Sequence, residues 1–267
     1  MIYQLALFGH PVKHSLSPQI HQEFARQFEL EIQYSLIDVS NEKLHHRVQD
    51  FFAQGGHGAN ITVPHKQSAM SLPDQLTERA QQAGAINTLF IKDQQLWGDN
   101  TDGEGLINDL REKNIKLSNQ RILIIGAGGA VQGVLPSLLK TQPSAIYIHN
   151  RTQLNAQKLA AQSKQCHVLT ASDNETTFDL IINGTSLGHV GQSPPLDPEW
   201  INSSTTVYDL SYGKAAEPFL KQSCTLGAEK HYDGIGMLHH QAALAFNRWF
   251  KHMPTIKLNP FELRTES

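Results

Sequence analysis

Residues 121–152 decide the fold and read RILIIGAGGAVQGVLPSLLKTQPSAIYIHNRT. An apolar strand (122–125) leads into a glycine-rich turn, which is followed by a helix with an apolar face and a second apolar strand (145–149). This order is typical of a Rossmann unit, in which glycines let the backbone approach a pyrophosphate and free N–H groups at the helix N-terminus bind it. We therefore predict that a dinucleotide binds the turn Gly126, Ala127, Gly128, Gly129 and Ala130.

Asn150, Arg151 and Thr152 follow the second strand. An NAD site usually carries an acidic residue about 20 residues beyond the glycines, whereas an arginine there accommodates the 2′-phosphate of NADP. Arg151 therefore predicts NADP as the cofactor and hydride transfer as the reaction class. Val131 takes the third glycine position of the G-x-G-x-x-G motif, so the turn taken alone also fits a packing turn. The flanking strand, the helix and Arg151 together favour the nucleotide site.

The chain has 267 residues, of which 39% are hydrophobic and 18% charged, and its formal net charge is −3. These values are typical of a globular protein with one large or two ordinary domains. The charges form no long run, so we expect small-molecule ligands and neither a nucleic-acid nor a membrane partner. The N-terminal residues have no basic segment and only a short apolar run, which favours a cytoplasmic location.

Cys166 and Cys224 are the only cysteines, too few for a disulfide framework and without the spacing of metal ligands. The 14 histidines include adjacent pairs such as His239-His240. Neighbours in a helix point in different directions, so solvated or capping histidines are favoured over a metal site. We predict no bound metal.

The segments around the nucleotide unit alternate between strands and helices. Before the unit we predict strands at 2–8, 32–39 and 59–63 and helices at 18–28 and 42–52. After it we predict strands at 179–183, 206–210 and 230–232 and helices at 154–163, 218–226 and 237–250. Short links between alternating strands and helices imply parallel sheets covered by helices.

The fold class that follows is α/β with two domains. We predict an N-terminal parallel-sheet substrate domain of residues 1–101 plus 237–267. A doubly wound Rossmann domain is expected at residues 102–236, with the C-terminal helix returning to the first domain. Ser17 is expected to cap the first helix, with Pro18 at its first helical position. The apolar faces all have partners within the chain, which favours a monomer over a homodimer.

Four stretches outside the nucleotide unit carry the polar side chains that a small substrate needs. They are GHPVKHSLSP (9–18), NITVPHK (60–66), AINTL (85–89) and GDNTDG (98–103). The first two leave strands at the edge where open α/β sheets bind ligands, and the last lies at the expected domain boundary. Together they supply hydroxyls, amides, one ammonium and one carboxylate for proton transfer and substrate orientation.

In these stretches the sequence resembles the shikimate dehydrogenase family. The family motifs are similar to SLSP (15–18), NITVPHK (60–66), LTERA (76–80), GDNTDG (98–103) and DGIGML (233–238) with Gln241, in register along nearly the whole chain. The resemblance implies reversible reduction of 3-dehydroshikimate to shikimate with NADPH, a step toward the aromatic amino acids. It also implies that Lys66 is the catalytic acid/base and Asp102 its partner.

The same resemblance implies the binding residues. For the substrate they are Ser15, Ser17, Thr62, Asn87, Asp102 and Gln241. For the cofactor they are Glu78, Thr185, Leu210, Tyr212 and Gly234, in addition to the glycine turn and Asn150-Arg151-Thr152. A lysine in water has a pKa of about 10.4, so its ammonium is ready to act as the acid in ketone reduction. The competing interpretations are a solvated surface lysine for Lys66 and a helix N-cap for Asp102.

Two positions depart from the family pattern. Leu16 stands where many relatives have lysine, which removes a positive charge near the expected substrate site. Asn155 stands where relatives often have a second basic residue after Asn-Arg-Thr. With Arg151 as the one cation, we predict a preference for NADP that is weaker than in relatives with two.

Three other functions deserve comparison. Residues 184–188 (GTSLG) match the hydrolase motif G-x-S-x-G, with Asp209 and His231 in the right order. A nucleophile elbow passes directly into a helix, which 189–195 (HVGQSPP) disfavours, so we interpret this segment as a loop over the nicotinamide. A quinate/shikimate dehydrogenase of broader specificity and a non-enzymatic sensor of metabolite or NADPH stay open. The presence of Ser15, Ser17, Lys66 and Asp102 together argues against a pure sensor.

The two-domain form also predicts a cleft. Lys66 and Asp102 are expected on one wall and the glycine turn 126–130 on the other. Closure is expected about the chain crossings near residues 102 and 236.

Overall fold

Two six-stranded sheets organise the chain in the computed structural model, which describes residues 1–170 and 177–257. The strands of the first sheet are β1 (Ile2–Gly9), β2 (Glu31–Asp38), β3 (Gly58–Ile61), β4 (Gln75–Leu76), β5 (Thr88–Lys92) and β6 (Gln95–Asp99). The helices of this part are α1 (Ser17–Arg26), α2 (Asn41–Ala53) and α3 (Glu78–Ala83). The strand order across the sheet is β2-β1-β3-β5-β6-β4.

The first sheet is parallel over β2, β1 and β3, as the alternation of strands and helices predicts. β5 departs from this prediction, because it runs antiparallel to both β3 and β6. Its link to β6 is a two-residue turn of Asp93 and Gln94, both at positive φ (51° and 61°). A turn this short can join only antiparallel strands, since a parallel pair needs a long crossover.

The second sheet is parallel throughout its described strands. They are β7 (Arg121–Ile125), β8 (Ala145–His149), β9 (Cys166–Val168), β10 (Leu180–Asn183), β11 (Thr206–Asp209) and β12 (Lys230–Tyr232). The helices are α4 (Asp102–Glu112), α5 (Gly129–Lys140), α6 (Gln153–Ala160), α7 (Glu217–Thr225) and α8 (Ile235–Phe250). The order β12-β11-β10-β7-β8-β9 is that of a doubly wound dinucleotide fold, with its switch point between β7 and β10.

Helix α8 packs on the first sheet, as predicted for the C-terminal helix. Phe246 and Trp249 belong to the same buried cluster as Leu5, Ile20 and Phe24. At its other end, Met237 joins the core of the second sheet. The domain division at residues 101/102 and 236/237 remains our proposal; residues 171–176 and 258–267 of those two domains lie outside the described part.

Helix α1 starts one residue earlier than predicted. Leu16 occupies the N-cap position, and Ser17 is the first helical residue, so the predicted capping role of Ser17 is wrong. The Ser17 N–H instead donates to Ser15 Oγ at 3.2 Å. Within the described residues, none of the helices combines the length and the hydropathy needed to cross a membrane.

Candidate active site

Lys66 and Asp102 meet at the carboxyl edge of the first sheet. Lys66 lies in the turn after β3, and its carbonyl accepts a hydrogen bond from the Ile86 N–H at 2.8 Å. Asp102 is the first residue of α4. Lys66 Nζ donates to Asp102 Oδ2 at 2.7 Å, and the two side chains are 15% and 5% exposed. The surface-lysine interpretation is therefore wrong, and so is the N-cap interpretation of Asp102, because Thr101 occupies that position.

Asn87 holds the second oxygen of the Asp102 carboxylate. Asn87 Nδ2 lies 2.9 Å from Asp102 Oδ1, 2.8 Å from Thr101 Oγ1 and 3.2 Å from Gln241 Oε1. The Asp102 N–H donates to Asn100 Oδ1 at 3.0 Å. Asn87 is 2% exposed, so these contacts are shielded from water. Both carboxylate oxygens and the backbone of Asp102 are thus fixed by protein groups.

Asp99 fixes the segment that leads from β6 to Asp102, a role that the sequence did not predict. Arg79 donates to both of its oxygens at 2.6 Å, and Arg248 Nε and Thr77 Oγ1 each donate at 2.6 Å. Burial opposes ionisation of Asp99, but these hydrogen bonds and the two guanidinium charges outweigh it and lower its pKa to about 2. A carboxylate with no exposed surface thereby ties α3 and α8 to the strand that leads to Asp102.

Ser15 and Ser17 lie together at the start of α1. Ser15 Oγ donates to Ser17 Oγ at 3.1 Å. Below them Tyr34 donates to Asn60 Oδ1 at 2.8 Å, and Asn60 Nδ2 donates to the Asn87 carbonyl at 3.0 Å. Burial raises the pKa of Tyr34, despite a hydrogen bond with Ser17, so the phenol stays neutral. The serines and Asn87 are therefore linked by one buried chain of hydrogen bonds.

Thr62 and Gln241 complete the predicted substrate group. Thr62 is half-buried in the turn before Lys66 and packs its methyl group toward Gly9. Gln241 lies on α8 and is 9% exposed; its Nε2 donates to the Leu238 carbonyl at 3.0 Å. Its oxygen accepts from Asn87 Nδ2 at 3.2 Å, so Gln241 is linked to Asp102 through Asn87.

The glycine turn has the shape that a pyrophosphate site needs. Gly126 has φ of +112°, and a Cβ there would lie 3.0 Å from the Gly184 backbone. Nothing lies within 4 Å of the Cβ positions of Gly128 and Gly129. Gly128 is the N-cap of α5 and makes no side-chain hydrogen bond, and the first N–H groups of a helix have no partner within the helix. An anionic group fits there.

Val131 explains the missing third glycine. That glycine normally permits close packing of the helix against the sheet. Here Val131 is buried, and a Cβ on Gly184 would collide with its side chain. The glycine that permits this close packing is therefore Gly184, in the loop after β10, and not a residue of the helix.

The remaining predicted cofactor residues occupy three regions. Arg151 is exposed after β8, and Asn150 Nδ2 donates to the Thr152 carbonyl at 2.9 Å. Thr185, Leu210, Tyr212 and Gly234 lie in the loops that follow β10, β11 and β12. Burial raises the pKa of Tyr212, whose hydroxyl is hydrogen-bonded to the backbone of Leu16 between the two serines. Glu78 is the first residue of α3, and its carboxylate accepts from Gln82 at 2.7 Å.

Comparison with known proteins decides the family. Residues 7–89 match the model of the shikimate dehydrogenase substrate binding domain, and residues 109–190 match that of shikimate / quinate 5-dehydrogenase. A shikimate dehydrogenase (NADP(+)) from Aeromonas salmonicida is 46% identical over 91% of this chain and 90% of its own length. The chain belongs to the shikimate dehydrogenase family.

Solved structures of similar proteins agree with this assignment. An Ael1 enzyme from Pseudomonas putida has a TM-score of 0.88 and 35% identity, with 95% of each chain covered. A shikimate 5-dehydrogenase from Thermus thermophilus, solved in complex with NADP(H) and shikimate, has a TM-score of 0.84 and 30% identity, also over 95% of each chain. The doubly wound half described above is thus the cofactor half of the shikimate dehydrogenase fold.

The hydrolase interpretation has no support in this family member. Ser186 leads into a 3-10 helix, Leu187–Val190, and not into the α-helix of a nucleophile elbow. Asp209 is hydrogen-bonded to Asn183 at 2.7 Å, and His231 is exposed on β12.

One group of possible metal ligands lies among the described residues, although the sequence predicts none. Ligand atoms of Asp109, Glu112 and His240 lie within 4.8 Å of one another. The Asp109 carboxylate already pairs with Lys113 and accepts from Tyr208 at 2.7 Å. Its charge is therefore balanced by protein groups.

Proposed function

We propose that this chain catalyses the reversible reduction of 3-dehydroshikimate to shikimate with NADPH, in aromatic amino acid biosynthesis. The observation that carries the proposal is the shielded Lys66–Asp102 pair at 2.7 Å, next to Asn87 and Gln241, in a chain of this family. The similar proteins support the same reaction, because one is named for NADP(+) and another was solved with NADP(H) and shikimate.

The cofactor half would hold NADP by three features. The pyrophosphate would bind the free N–H groups at the start of α5 and the open backbone of Gly128 and Gly129. The guanidinium of Arg151 would meet the 2′-phosphate. When bound, the reduced nicotinamide supplies a hydride to the carbonyl carbon of the substrate.

Lys66 would supply the proton in reduction. The ammonium has three N–H bonds, and Asp102 Oδ2 is its one hydrogen-bond acceptor among the described residues. One of the other two N–H groups donates to the substrate ketone oxygen, which takes the proton as it becomes a hydroxyl. In the reverse direction the neutral amine accepts that proton. A charged donor aimed at the oxygen also stabilises the negative charge that develops there.

Asp102 would act through position and charge. Its Oδ1 is held by Asn87 and its Oδ2 binds the ammonium, so the carboxylate fixes the direction in which Lys66 points. Asp102 thus orients the acid.

The substrate would be held by neutral groups. Ser15 and Ser17 are proposed to meet the carboxylate, and Thr62, Asn87 and Gln241 the ring hydroxyls. A hydrogen bond to a charged group contributes about 1.5–3 kcal/mol, against about 0.5–1.5 for a neutral pair. Several such bonds acting together give useful affinity without an arginine.

The cellular location and the oligomeric state are further proposals. The role in amino acid biosynthesis supports a cytoplasmic location, which cell fractionation tests. A monomer is proposed over a homodimer, and light scattering after size-exclusion chromatography distinguishes them.

The deciding experiment follows NADPH oxidation at 340 nm with 3-dehydroshikimate, for the wild type and Lys66→Ala in parallel. We expect turnover that falls by at least 1000-fold in the variant, while its affinity for shikimate changes less than tenfold. Quinate is assayed alongside, since comparable turnover would establish the broader dehydrogenase. Ligand binding without any wild-type turnover would replace the enzyme with a sensor.

A further inference from the structure

Asn183 and Asp209 end two neighbouring parallel strands and face each other. Asn183 closes β10 and is 1% exposed; Asp209 closes β11 and has no exposed surface. Asn183 Nδ2 donates to Asp209 Oδ2 at 2.7 Å. Among the described residues, Asp209 has no lysine, arginine or histidine as an ion-pair partner. A buried carboxylate is thus held by neutral donors alone. Burying a charge without an ion-pair partner costs stability, so we expect Asp209 to have a role beyond stability.

Each member of this pair also holds the loop beyond its strand. Asn183 Oδ1 accepts from the Thr185 N–H at 3.0 Å and from Thr185 Oγ1 at 2.8 Å. Asp209 Oδ1 accepts from the Ser211 N–H at 2.7 Å. The Ser211 carbonyl in turn accepts from the Gly234 N–H at 2.8 Å. One side-chain pair therefore fixes the loops after β10, β11 and β12.

These loops are the ones that reach the reacting end of the cleft. Thr185 leaves the switch point between β7 and β10, where open sheets bind their ligand. Tyr212 directly follows Ser211, and its buried hydroxyl faces the backbone of Leu16, between the two substrate serines. A shift of Ser211 would therefore move the contact between the cofactor half and Ser15 and Ser17.

We propose that Asp209 is a positioning residue for the nicotinamide end of the site, acting on Thr185 through Asn183 and on Tyr212 through the Ser211 backbone. The inference rests on the proposed function, because it assigns these loops to the cofactor and substrate. It differs from the hydrolase interpretation, in which Asp209 would orient a histidine.

The direction of the hydrogen bonds makes the proposal specific. Asp209 can only accept, so Asn183 must present its NH₂ to Asp209 and its oxygen to Thr185. With Asp209→Asn, one acceptor replaces two, so the new NH₂ group meets either the Ser211 N–H or the NH₂ of Asn183. If Asn183 rotates to relieve this conflict, its NH₂ then meets the Thr185 N–H. In either orientation of the side chains, a donor–donor conflict therefore disturbs one of the loops that follow β10 and β11.

The test combines Asp209→Asn with the reciprocal double variant Asn183→Asp/Asp209→Asn. In the double variant the carboxylate at 183 accepts from Thr185 and from the new amide at 209, so the chain of bonds is rebuilt with one buried charge. Affinity for NADPH is measured by its fluorescence, and kcat and KM by its oxidation. Adenosine 2′,5′-bisphosphate, which lacks the nicotinamide half, reports the opposite end of the cofactor site.

We expect the Kd and KM for NADPH to rise about tenfold in Asp209→Asn and to recover to within threefold of wild type in the double variant. Binding of adenosine 2′,5′-bisphosphate should change less than twofold in both. Wild-type affinity in folded Asp209→Asn, or equal losses for both nucleotides, would overturn the proposal, as would a double variant no better than the single.

A second substitution covers the case in which Asp209→Asn does not fold. Asp209→Ser removes the charge without presenting an amide, and the same selective loss of NADPH affinity is expected. Unchanged affinity would refute the positioning role. A wild type that binds NADPH but does not reduce 3-dehydroshikimate would remove the proposed function and leave the binding comparison standing.

Discussion

Asn87 holds the Asp102 oxygen that Lys66 leaves free, with its Nδ2 at 2.9 Å from Oδ1. The carboxylate is therefore clamped from two sides: a neutral amide fixes one oxygen and the ammonium binds the other. Because the Asn87 amide is neutral, it can orient Asp102 without competing for the proton on Lys66.

The first prediction concerns Asp102→Asn. The new amide has one acceptor for two donors, so its NH₂ faces the Lys66 ammonium or the NH₂ of Asn87, and either conflict disturbs the orientation of the lysine. We expect kcat to fall at least 100-fold, with the KM for substrate changed less than tenfold. Steady-state kinetics check this, with Asp93→Asn at the exposed β5–β6 turn as a matched control. An Asp102→Asn variant with near wild-type kcat would contradict the role proposed for the carboxylate.

The second prediction concerns Gly133, which faces Asp102 from α5. A Cβ there would lie 3.2 Å from Asp102 Oδ2 and 3.3 Å from Asn100 Nδ2. Gly133→Ala should favour the helix by about 1 kcal/mol, yet it should disturb the carboxylate that orients Lys66. We expect kcat to fall at least fivefold while the midpoint of thermal unfolding changes by only a few degrees. Unchanged kcat would mean that the neighbouring side chains give way without consequence.

The third prediction uses the buried ion pairs of Asp99. Its pKa of about 2 lies below the ordinary value of 3.8, so the folded state favours the ionised form. The resulting stabilisation, roughly 2 kcal/mol, is complete above pH of about 4 and is lost as the pH falls through about 2. Asp99→Asn should be strongly destabilised at pH 7, since Arg79 and Arg248 lose their anion. Urea unfolding should show the difference from wild type shrinking below pH of about 4.

A difference between wild type and Asp99→Asn that stays constant from pH 7 down to the acid range would show that the carboxylate charge is not what stabilises this region. The loss would then come from packing alone.

The fourth prediction concerns cofactor choice. One charge-assisted contact from Arg151, about 1.5–3 kcal/mol, gives an NADP preference of about 10- to 150-fold over NAD. Arg151→Leu should bring kcat/KM for the two cofactors near parity, and Asn155→Arg should widen the preference. The values of kcat/KM with each cofactor measure this. Parity already in the wild type would refute the assignment of Arg151.

The fifth prediction concerns closure of the cleft. Two crossings of the chain, near residues 102 and 236, join the proposed domains, and Gln67 beside Lys66 contacts Gln132 on α5. We expect the radius of gyration from X-ray scattering to decrease when NADP and shikimate are both added. Superimposable profiles with and without the ligands would argue for a fixed cleft.

The sequence predicted the cofactor half well because its signals are local. Strand, glycine turn and helix follow one another within residues 121–140, and the first turn of α5 depends on the backbone freedom of its own glycines. Lys66 and Asp102, 36 positions apart, were assigned from motifs, and the fold brings them to 2.7 Å.

The elements and contacts that the sequence did not predict also have physical explanations. Between residues 64 and 120 the sequence indicates only a helix start near Asp102, although β4, α3, β5, β6 and α4 lie there, because these elements are short or carry mixed polarity. The β5–β6 turn lacks the glycine that usually marks such a hairpin. Asp99 escaped notice because its two arginines come from positions 20 residues before and 149 residues after it.

The packing of α8 on the first sheet also constrains how the protein is made. Leu5, Ile20 and Phe24 emerge from the ribosome well before Phe246 and Trp249, which complete their core and are synthesised about 220 residues later. At about 5–20 residues per second, the first half waits roughly ten seconds or more for its final helix. Pulse proteolysis of nascent chains should find this half protease-sensitive until α8 is released. The cofactor half has most of its core within one continuous segment, so it is expected to fold first. The first half is then expected to remain incompletely folded until α8 has been synthesised.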